Sequence, residues 1–203
     1  MNKSGPRSEV RGPRSKAQHD MRIITGKYRG RRLKAPKGID LRPTGDRLKE
    51  TLFDILGAGA EGAVVLDVFA GTGSIGLEAL SRGAREVVFI ESNPKAARLI
   101  RQNLAICGIS SGFRLVNQDA FSALRLLGRE DFTADVVFLD PPYEFEPYDD
   151  LLDIIFRRGI AGESSRCIVE HHSKAPIPEA GPGYQRTRVV RQSDKCLSFY
   201  EKR

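Results

Sequence analysis

The pattern of hydrophobic and polar positions divides the chain into three parts. Residues 1–20 are rich in Gly, Pro, Ser and charged residues and contain almost no large apolar side chains. Such a segment cannot bury enough apolar surface to offset the entropy lost on ordering, so we predict a disordered basic tail over 1–20. Residues 21–57 form a second part with basic and apolar positions interleaved, and residues 58–203 form a third.

The second part is predicted to be a small N-terminal extension made of a β-hairpin and a helix. Structure is expected to begin near Met21, with a short strand over 22–24 and a basic hairpin over 26–33. The segment 41–57 is expected to be a loop that enters a helix. The apolar face of that helix would consist of Leu48, Leu52, Phe53, Ile55 and Leu56.

The third part alternates short apolar runs with helical patterns. The runs that predict buried strands lie at 64–69, 87–91, 113–117, 136–139 and 167–170. A helix is expected after each of the first three strands. The first helix would end near Gly83, the second would span 94–107, and the third would begin around Asp119. The segments 186–190 and 195–200 read as an antiparallel hairpin. Repeated β-α units favour a doubly wound α/β fold, here Rossmann-like and mostly parallel with an antiparallel C-terminal hairpin.

A glycine motif follows the first predicted strand. Gly71, Gly73 and Gly76 match G-x-G-x-x-G between a strand and a helix, where a dinucleotide fingerprint belongs. Glu91 ends the next strand, where a carboxylate can accept hydrogen bonds from ribose hydroxyls. The motif therefore indicates a nucleoside cofactor, with a purely structural strand-to-helix turn as the alternative.

The acids around this motif indicate which cofactor it is. Pyrophosphates bind to the backbone N–H groups of a helix N-terminus, and a carboxylate such as Asp67, four residues before Gly71, disfavours a phosphate. S-adenosylmethionine has an ammonium and a sulfonium and no phosphate. Asp119 and Ala120 are expected near its adenine. The acids at the ends of four strands, where open α/β sheets bind ligands, are Asp67, Glu91, Asp119 and Asp140. We predict S-adenosylmethionine rather than NAD.

The motif Asp140-Pro141-Pro142-Tyr143 follows the fourth predicted strand. Each proline fixes its own φ and lacks an N–H, and the residue before a proline is held extended, so the turn is stiff. The carboxylate and the carbonyls can face a ligand while the tyrosine offers a ring for stacking. The motif suits an amino group on a planar ring, although a plain strand-ending turn is the alternative.

Charge is distributed unevenly along the chain. The net charge of the 203 residues is +7, but residues 1–49 carry 15 Lys or Arg against 4 Asp or Glu, and residues 50–203 carry 18 against 22. This asymmetry indicates a nucleic-acid partner. The three cysteines show no metal spacing and read as reduced thiols, and no apolar run predicts a membrane span or a signal peptide. We expect a cytoplasmic protein without a bound metal, and a monomer.

Three further motifs, taken with those above, resemble a known family. They are 21–26 (MRIITG), 29–31 (RGR), and 41–47 (LRPTGDR) followed by 50–53 (ETLF). Over about residues 21–201 the chain resembles the bacterial 16S rRNA (guanine(966)-N(2))-methyltransferase family, class I enzymes that use S-adenosylmethionine. Gly45 stands where a second threonine is common, and Tyr143 stands where phenylalanine also occurs.

The resemblance implies a division of roles among these residues. The cofactor-binding set would be Asp67, Phe69, Ala70, Gly71, Gly73, Gly76, Glu91, Ser92, Asn93, Asp119 and Ala120. The target base would be held by Asp140, Pro141, Pro142 and Tyr143. The RNA-binding set would be Arg22, Lys27, Arg29, Arg31, Arg32, Arg42, Thr44 and Arg47, and the partner 16S rRNA or a partly assembled small ribosomal subunit.

Several alternatives stay open at this point. The same amine chemistry would serve adenine N6 in nucleic acid or a protein glutamine, and a non-catalytic RNA-binding assembly factor is a further possibility. An NAD-dependent oxidoreductase is disfavoured by Asp67. His171 and His172 follow the fifth strand, but neighbouring residues of a strand point to opposite faces, so at most one is expected to face the crevice.

Overall fold

The computed structural model describes residues 21–36, 43–142, 145 and 147–203, without the side chains of 43–46. The predicted tail, residues 1–20, lies outside the described residues. Among the described residues, no helix is long and apolar enough to cross a membrane.

One eight-stranded sheet organises the protein. Its strands in space run in the order β3-β2-β1-β4-β5-β8-β7-β6. Strands β1 to β5 pair in parallel, whereas β8, β7 and β6 add to β5 in antiparallel pairs. The strands are β1 Val64–Val68, β2 Glu86–Ile90, β3 Phe113–Val116, β4 Ala134–Leu139, β5 Ala161–His172, β6 Ala180–Gly181, β7 Tyr184–Gln192 and β8 Lys195–Lys202.

Helices cover both faces of this sheet. They are α1 Pro43–Leu56, α2 Ser74–Ser81, α3 Pro94–Cys107, α4 Ala120–Arg129 and α5 Tyr148–Arg157, with a short 3-10 helix over Gly57–Ala60. The bounds of α3 follow from local chemistry: the Asn93 side chain accepts a hydrogen bond from the Lys95 backbone, Pro94 opens the helix, and Gly108 ends it in the left-handed region.

The predicted fold class is confirmed by this arrangement. The first four predicted strands match β1 to β4 closely, and the C-terminal hairpin exists as β7 and β8. Strand β5 is 12 residues long and begins well before residue 167. The prediction missed its first half because that half is polar and partly exposed and so carries no apolar signal. Helix α5, the 3-10 helix and β6 were not predicted.

The N-terminal extension packs into the core of the sheet domain. Ile23 and Leu33 are buried in the same cluster as Leu52 and Phe53 of α1 and Ile168 of β5. An isolated antiparallel bridge joins Arg22 to Arg32, which is all the strand pairing present in the described part of the predicted hairpin. The extension and the sheet therefore share one hydrophobic core.

Candidate active site

A cavity of about 370 Å³ opens at the carboxyl ends of the central strands. It lies at the edge where β1, β2, β4 and β5 end and β8 begins, the place where open α/β sheets bind ligands. The lining residues are Phe69, Glu91, Ser92, Asp140, Pro141, Pro142, Tyr148, Glu170, His171, His172 and Lys195. Six of these, Phe69, Glu91, Ser92, Asp140, Pro141 and Pro142, belong to the predicted site.

The glycine loop beside the cavity has the backbone that its sequence predicts. Gly71 and Gly73 adopt φ values of +55° and +77°, which L side chains rarely adopt, and Gly73 is the residue before α2. A Cβ on Gly76 would lie 2.2 Å from Cε1 of Phe89, so only glycine lets α2 approach β2 this closely. The loop thus brings backbone, rather than side chains, to the strand ends.

Glu91 joins the glycine loop to the end of β2. Its Oε2 accepts a hydrogen bond from the Gly71 backbone at 2.7 Å, and its Oε1 accepts one from the Asn93 backbone at 2.7 Å. Each carboxylate oxygen can accept more than one hydrogen bond, so both can also take a ligand hydroxyl. Asn93 itself is fixed as the N-cap of α3.

Asp67 lies beneath the glycine loop rather than in the cavity wall. The side chain is 2% exposed, and its Oδ2 accepts a hydrogen bond from the Gly76 backbone at 3.0 Å. Burial raises the pKa of this carboxyl to about 7, against a partial lowering by the Gly76 hydrogen bond. Asp67 therefore supports the loop from below, and a direct contact with a cofactor ammonium stays a prediction.

The turn after β4 places Asp140 in the cavity. The Asp140 N–H donates to the Val68 carbonyl at 3.3 Å, which extends the β4–β1 ladder by one residue. The Phe145 N–H donates to the Pro142 carbonyl at 2.9 Å and closes the turn behind the prolines. Tyr143 lies outside the described residues.

The surrounding protein favours the neutral form of Asp140. Desolvation is the main cause that raises its pKa well above the usual range, the Glu170 carboxylate raises it further, and the Lys195 ammonium opposes both. The side chain is nevertheless open to the cavity, so water there moderates the effect. A cation bound beside Asp140 would favour its charged form.

Aromatic rings pack behind the turn. The Phe145 ring lies 5.4 Å from that of Phe69 and 5.2 Å from that of Tyr148, both edge-on, and 6.3 Å from that of Phe121 in a stacked arrangement. Phe69 itself has a φ of +63°, a strained conformation for a non-glycine residue, and such strain is commonly retained at ligand sites. These rings give the cavity an apolar wall beside its acids.

Sequence reasoning missed the ion pair of Glu170 and Lys195 in the cavity wall. Glu170 lies near the carboxyl end of β5, and Lys195 opens β8, which runs antiparallel to β5. The strand-end argument that singled out the other acids extends to Glu170. Lys195 can be placed beside Glu170 only once β8 is known to pair with β5.

Both histidines contribute to the cavity lining, so the expectation that at most one would do so is wrong. His171 is buried, and its ring nitrogens bond to the Ser198 hydroxyl at 2.8 Å and the His172 carbonyl at 2.9 Å. Burial lowers the pKa of His171. His172 still pairs with Lys195 in the β5–β8 ladder, and the cavity lies at the end of β5, where residues from both faces of the strand can line it.

The remaining cofactor candidates lie around the cavity rather than in its lining. The Asp119 side chain caps α4 by accepting a hydrogen bond from the Ser122 backbone at 2.9 Å. Ala120 is the first residue of α4, and the first backbone N–H groups of a helix have no partner within that helix. Contacts of Asp119 and Ala120 with adenine, and of Ala70 with the cofactor, stay predictions.

The proposed RNA-binding side chains of the extension point to solvent. Those described, all exposed, are Arg22, Lys27, Arg29, Arg31, Arg32 and Arg47. Arg42 and the side chain of Thr44 lie outside the described residues.

The extension that carries these basic groups is fastened to the glycine loop. The amide of buried Asn103 donates to the Thr72 carbonyl at 3.0 Å and to the Lys34 carbonyl at 3.1 Å. Lys49, also buried, donates to the Ser74 hydroxyl at 3.1 Å and to the Arg22 carbonyl at 2.9 Å. The extension therefore holds a defined position beside the glycine loop.

Comparison with known proteins gives consistent matches over most of the chain. The model of the family described as "Conserved hypothetical protein 95" matches residues 21–201. "Putative rRNA methyltransferase YlbH" of Bacillus subtilis is 33% identical over 90% of this chain and all of its own length. "Ribosomal RNA small subunit methyltransferase D" of Haemophilus influenzae is 36% identical over 79% of this chain and 83% of its own.

A solved structure shares the fold. "Putative methyltransferase yhhF from Escherichia coli" superposes with a TM-score of 0.78 at 31% identity, covering 90% of this chain and 98% of that one.

Proposed function

The chain belongs to the Conserved hypothetical protein 95 family, and from that premise and the cavity we propose that it methylates the exocyclic N2 of a guanine in 16S rRNA. The broader activity is that of an S-adenosylmethionine-dependent rRNA methyltransferase. The observation that carries the finer proposal is the position of Asp140 and its two prolines in the same cavity as Glu91.

The residues around the cavity fit S-adenosylmethionine. The Glu91 carboxylate lines the cavity and lies beside the Gly71 backbone, where it would hold ribose hydroxyls. The three acids in the wall, Glu91, Asp140 and Glu170, outnumber Lys195 and match a cationic cofactor. When bound, the cofactor supplies an electrophilic methyl group on its sulfonium.

Asp140 would prepare the amine for transfer. The lone pair of an exocyclic guanine nitrogen is delocalised into the ring, which makes it a poor nucleophile. Hydrogen bonds from its two N–H groups to the Asp140 carboxylate and the Pro141 carbonyl would turn the lone pair toward the methyl group. As the new N–C bond forms and the C–S bond breaks, the nitrogen becomes acidic and loses a proton to Asp140 or to water.

Alignment would supply most of the rate enhancement. A stiff turn fixes the amine with respect to the methyl group, and roughly 7–11 kcal/mol is available in principle from such positioning. Tyr143 would stack on the base, which typically contributes about 1–3 kcal/mol. A base in a duplex must first be extruded, so an unpaired nucleotide is the expected target.

The test is methyl transfer from labelled S-adenosylmethionine to 16S rRNA, both free and in small-subunit particles. Digestion to nucleosides followed by mass spectrometry should show N2-methylguanosine. N6-methyladenosine, or label in ribosomal protein, would refute the proposal in favour of one of the alternative amine substrates.

The Asp140→Ala variant separates the role of the turn from cofactor binding. Methyl transfer should be lost while the affinity for S-adenosylmethionine, measured by calorimetry, stays within a few-fold. Asp131→Asn, which removes an exposed charge from the α4–β4 loop and suits the positive φ of that position, serves as the control and should keep full activity. Persisting turnover in Asp140→Ala would show that another group holds the amine.

A further inference from the structure

The Glu170–Lys195 ion pair lies in the wall of the cavity that holds Asp140. The side chains of Glu170 and Lys195 are 12% and 25% exposed, so both are largely removed from solvent. Asp140, Glu170 and Lys195 all line the same cavity. Such a pair is costly to desolvate.

Asp140, Glu170 and Lys195 follow one another across the sheet, because they lie at the cavity ends of the neighbouring strands β4, β5 and β8. Ionised Asp140 and Glu170 only accept hydrogen bonds, and the Lys195 ammonium only donates them. An ammonium has three N–H donors, so Lys195 can hold Glu170 and a second acceptor at once. The cavity therefore presents acceptor, acceptor and donor groups to a base held at Asp140.

This order matches one edge of guanine. The Watson–Crick edge of guanine carries the N2 amino donors, then the N1–H donor, then the O6 acceptor. Adenine instead presents its N6 amino donors beside an N1 acceptor, which would face the Glu170 carboxylate as acceptor against acceptor. Buried polar groups left unpaired in this way cost affinity and so reject the wrong base.

We propose that Glu170 and Lys195 select guanine, with Glu170 accepting a hydrogen bond from N1–H and Lys195 donating one to O6 while Asp140 holds N2. This inference rests on the proposed function and deepens it, because it names the groups of this chain that distinguish guanine from adenine. In the absence of RNA, the pair keeps both charges satisfied. The acids and the ammonium together leave the site with a net negative charge that the cofactor cation offsets.

The experiment compares two RNA substrates that differ only at the target base. Once the methylated nucleotide is mapped, a synthetic RNA carrying guanosine there is compared with one carrying 2-aminopurine, which keeps the amine at C2 but lacks both N1–H and O6. The wild-type protein should prefer guanosine in kcat/KM by on the order of 100-fold. Glu170→Gln and Lys195→Gln should each reduce this preference by about tenfold, whereas Lys195→Arg, which keeps a cationic donor, should retain most of it.

A matched control lies on the same two strands. Glu163 of β5 and Lys202 of β8 form an exposed ion pair at the far end from the cavity. Glu163→Gln and Lys202→Gln remove the same chemical groups and should leave the preference unchanged. Thermal unfolding identifies any variant that fails to fold. If Glu170→Gln does so, the proposal is tested by comparing the guanosine preference of Lys195→Gln with that of Lys195→Arg.

The outcomes separate this inference from the proposed function. If both variants keep the wild-type preference for guanosine over 2-aminopurine, base selection by Glu170 and Lys195 is refuted. An equal loss of activity on both substrates would mean that the two residues act only through Asp140. If the wild-type protein forms no N2-methylguanosine in any 16S rRNA substrate, the proposed function itself fails.

Discussion

Gly71 donates its backbone N–H to the Glu91 carboxylate at 2.7 Å, which links the loop after β1 to the end of β2. The same carboxylate accepts from Asn93 at 2.7 Å, so one side chain fixes two backbone segments beside the cavity. A ribose bound here would meet a carboxylate that is already oriented. Preorganisation of this kind reduces the cost of ordering groups on binding.

Removal of this carboxylate should weaken cofactor binding. In Glu91→Gln the side chain would present an NH₂ group to one of two N–H donors, and the charged acceptor for ribose would be lost. Hydrogen bonds to charged groups contribute about 1.5–3 kcal/mol, so we expect affinity for S-adenosylmethionine to fall roughly 10- to 100-fold. Calorimetry measures this. Glu86→Gln, at the opposite end of β2, is the control and should bind normally.

The third glycine of the motif is predicted to be a packing requirement. A Cβ at position 76 would overlap the Phe89 ring, and overpacking of a core costs about 1–3 kcal/mol. Gly76→Ala should therefore lower the free energy of urea unfolding by that amount, and Phe89→Leu in the same chain should restore part of it. Gly59→Ala is the control, because a Cβ there meets only a side-chain atom at 3.7 Å. Equal stability of the two alanine variants would contradict the packing argument.

Much of this architecture follows from residues that act locally. Asn93, Pro94 and Gly108 specify where α3 begins and ends, and the apolar runs specify β1 to β4, because capping and burial are encoded over a few residues. The Glu170–Lys195 pair could not be derived the same way. It depends on the register between β5 and β8, and the polar first half of β5 hides that strand from a hydrophobic pattern.

The direction of a side chain is also not specified by the pattern of hydrophobic and polar residues. Asp67 was correctly expected at a strand end, but its carboxylate turns under the loop to the Gly76 N–H instead of entering the cavity. The first N–H groups of a helix have no partner within that helix, and the Asp67 carboxylate turns toward α2 because it accepts a hydrogen bond from one of them, that of Gly76. The strained φ of Phe69 likewise has no local signature in the sequence.

The basic side chains of the extension are predicted to bind RNA phosphates. Replacing Arg29, Arg31 and Arg32 by glutamine removes three exposed cations. If all three contact phosphates of single-stranded RNA, the slope of log K against log salt should become shallower by about 2. Fluorescence anisotropy over a salt series measures this slope.

The control for that experiment removes the same charge elsewhere. Arg129, Arg157 and Arg158 are exposed at the carboxyl ends of α4 and α5, which lie at the opposite edge of the sheet from the cavity. Their triple glutamine variant should keep the wild-type slope. If both variants change the slope equally, binding depends on total charge and the extension has no special part in it.

The buried carboxyl of Asp67 should make stability depend on pH. Its pKa is raised to about 7 in the folded protein, from 3.8, so between these values the folded state binds more protons than the unfolded state. The contribution of Asp67 to stability is therefore most favourable below pH 4 and is lost as the pH rises toward 7. A shift of about 3 units corresponds to an upper limit of roughly 4 kcal/mol.

The Asp67→Asn variant isolates this contribution. The asparagine oxygen can still accept the Gly76 N–H, but it does not titrate. We expect the stability of Asp67→Asn relative to wild type to increase from pH 4.5 to pH 7.5 and to level off above that, as measured by urea unfolding at each pH without cofactor. Asp131→Asn, an exposed acid, should show no such trend. A difference between Asp67→Asn and wild type that stays constant across this range would mean that Asp67 titrates near its ordinary pKa, and that the Gly76 hydrogen bond offsets its burial.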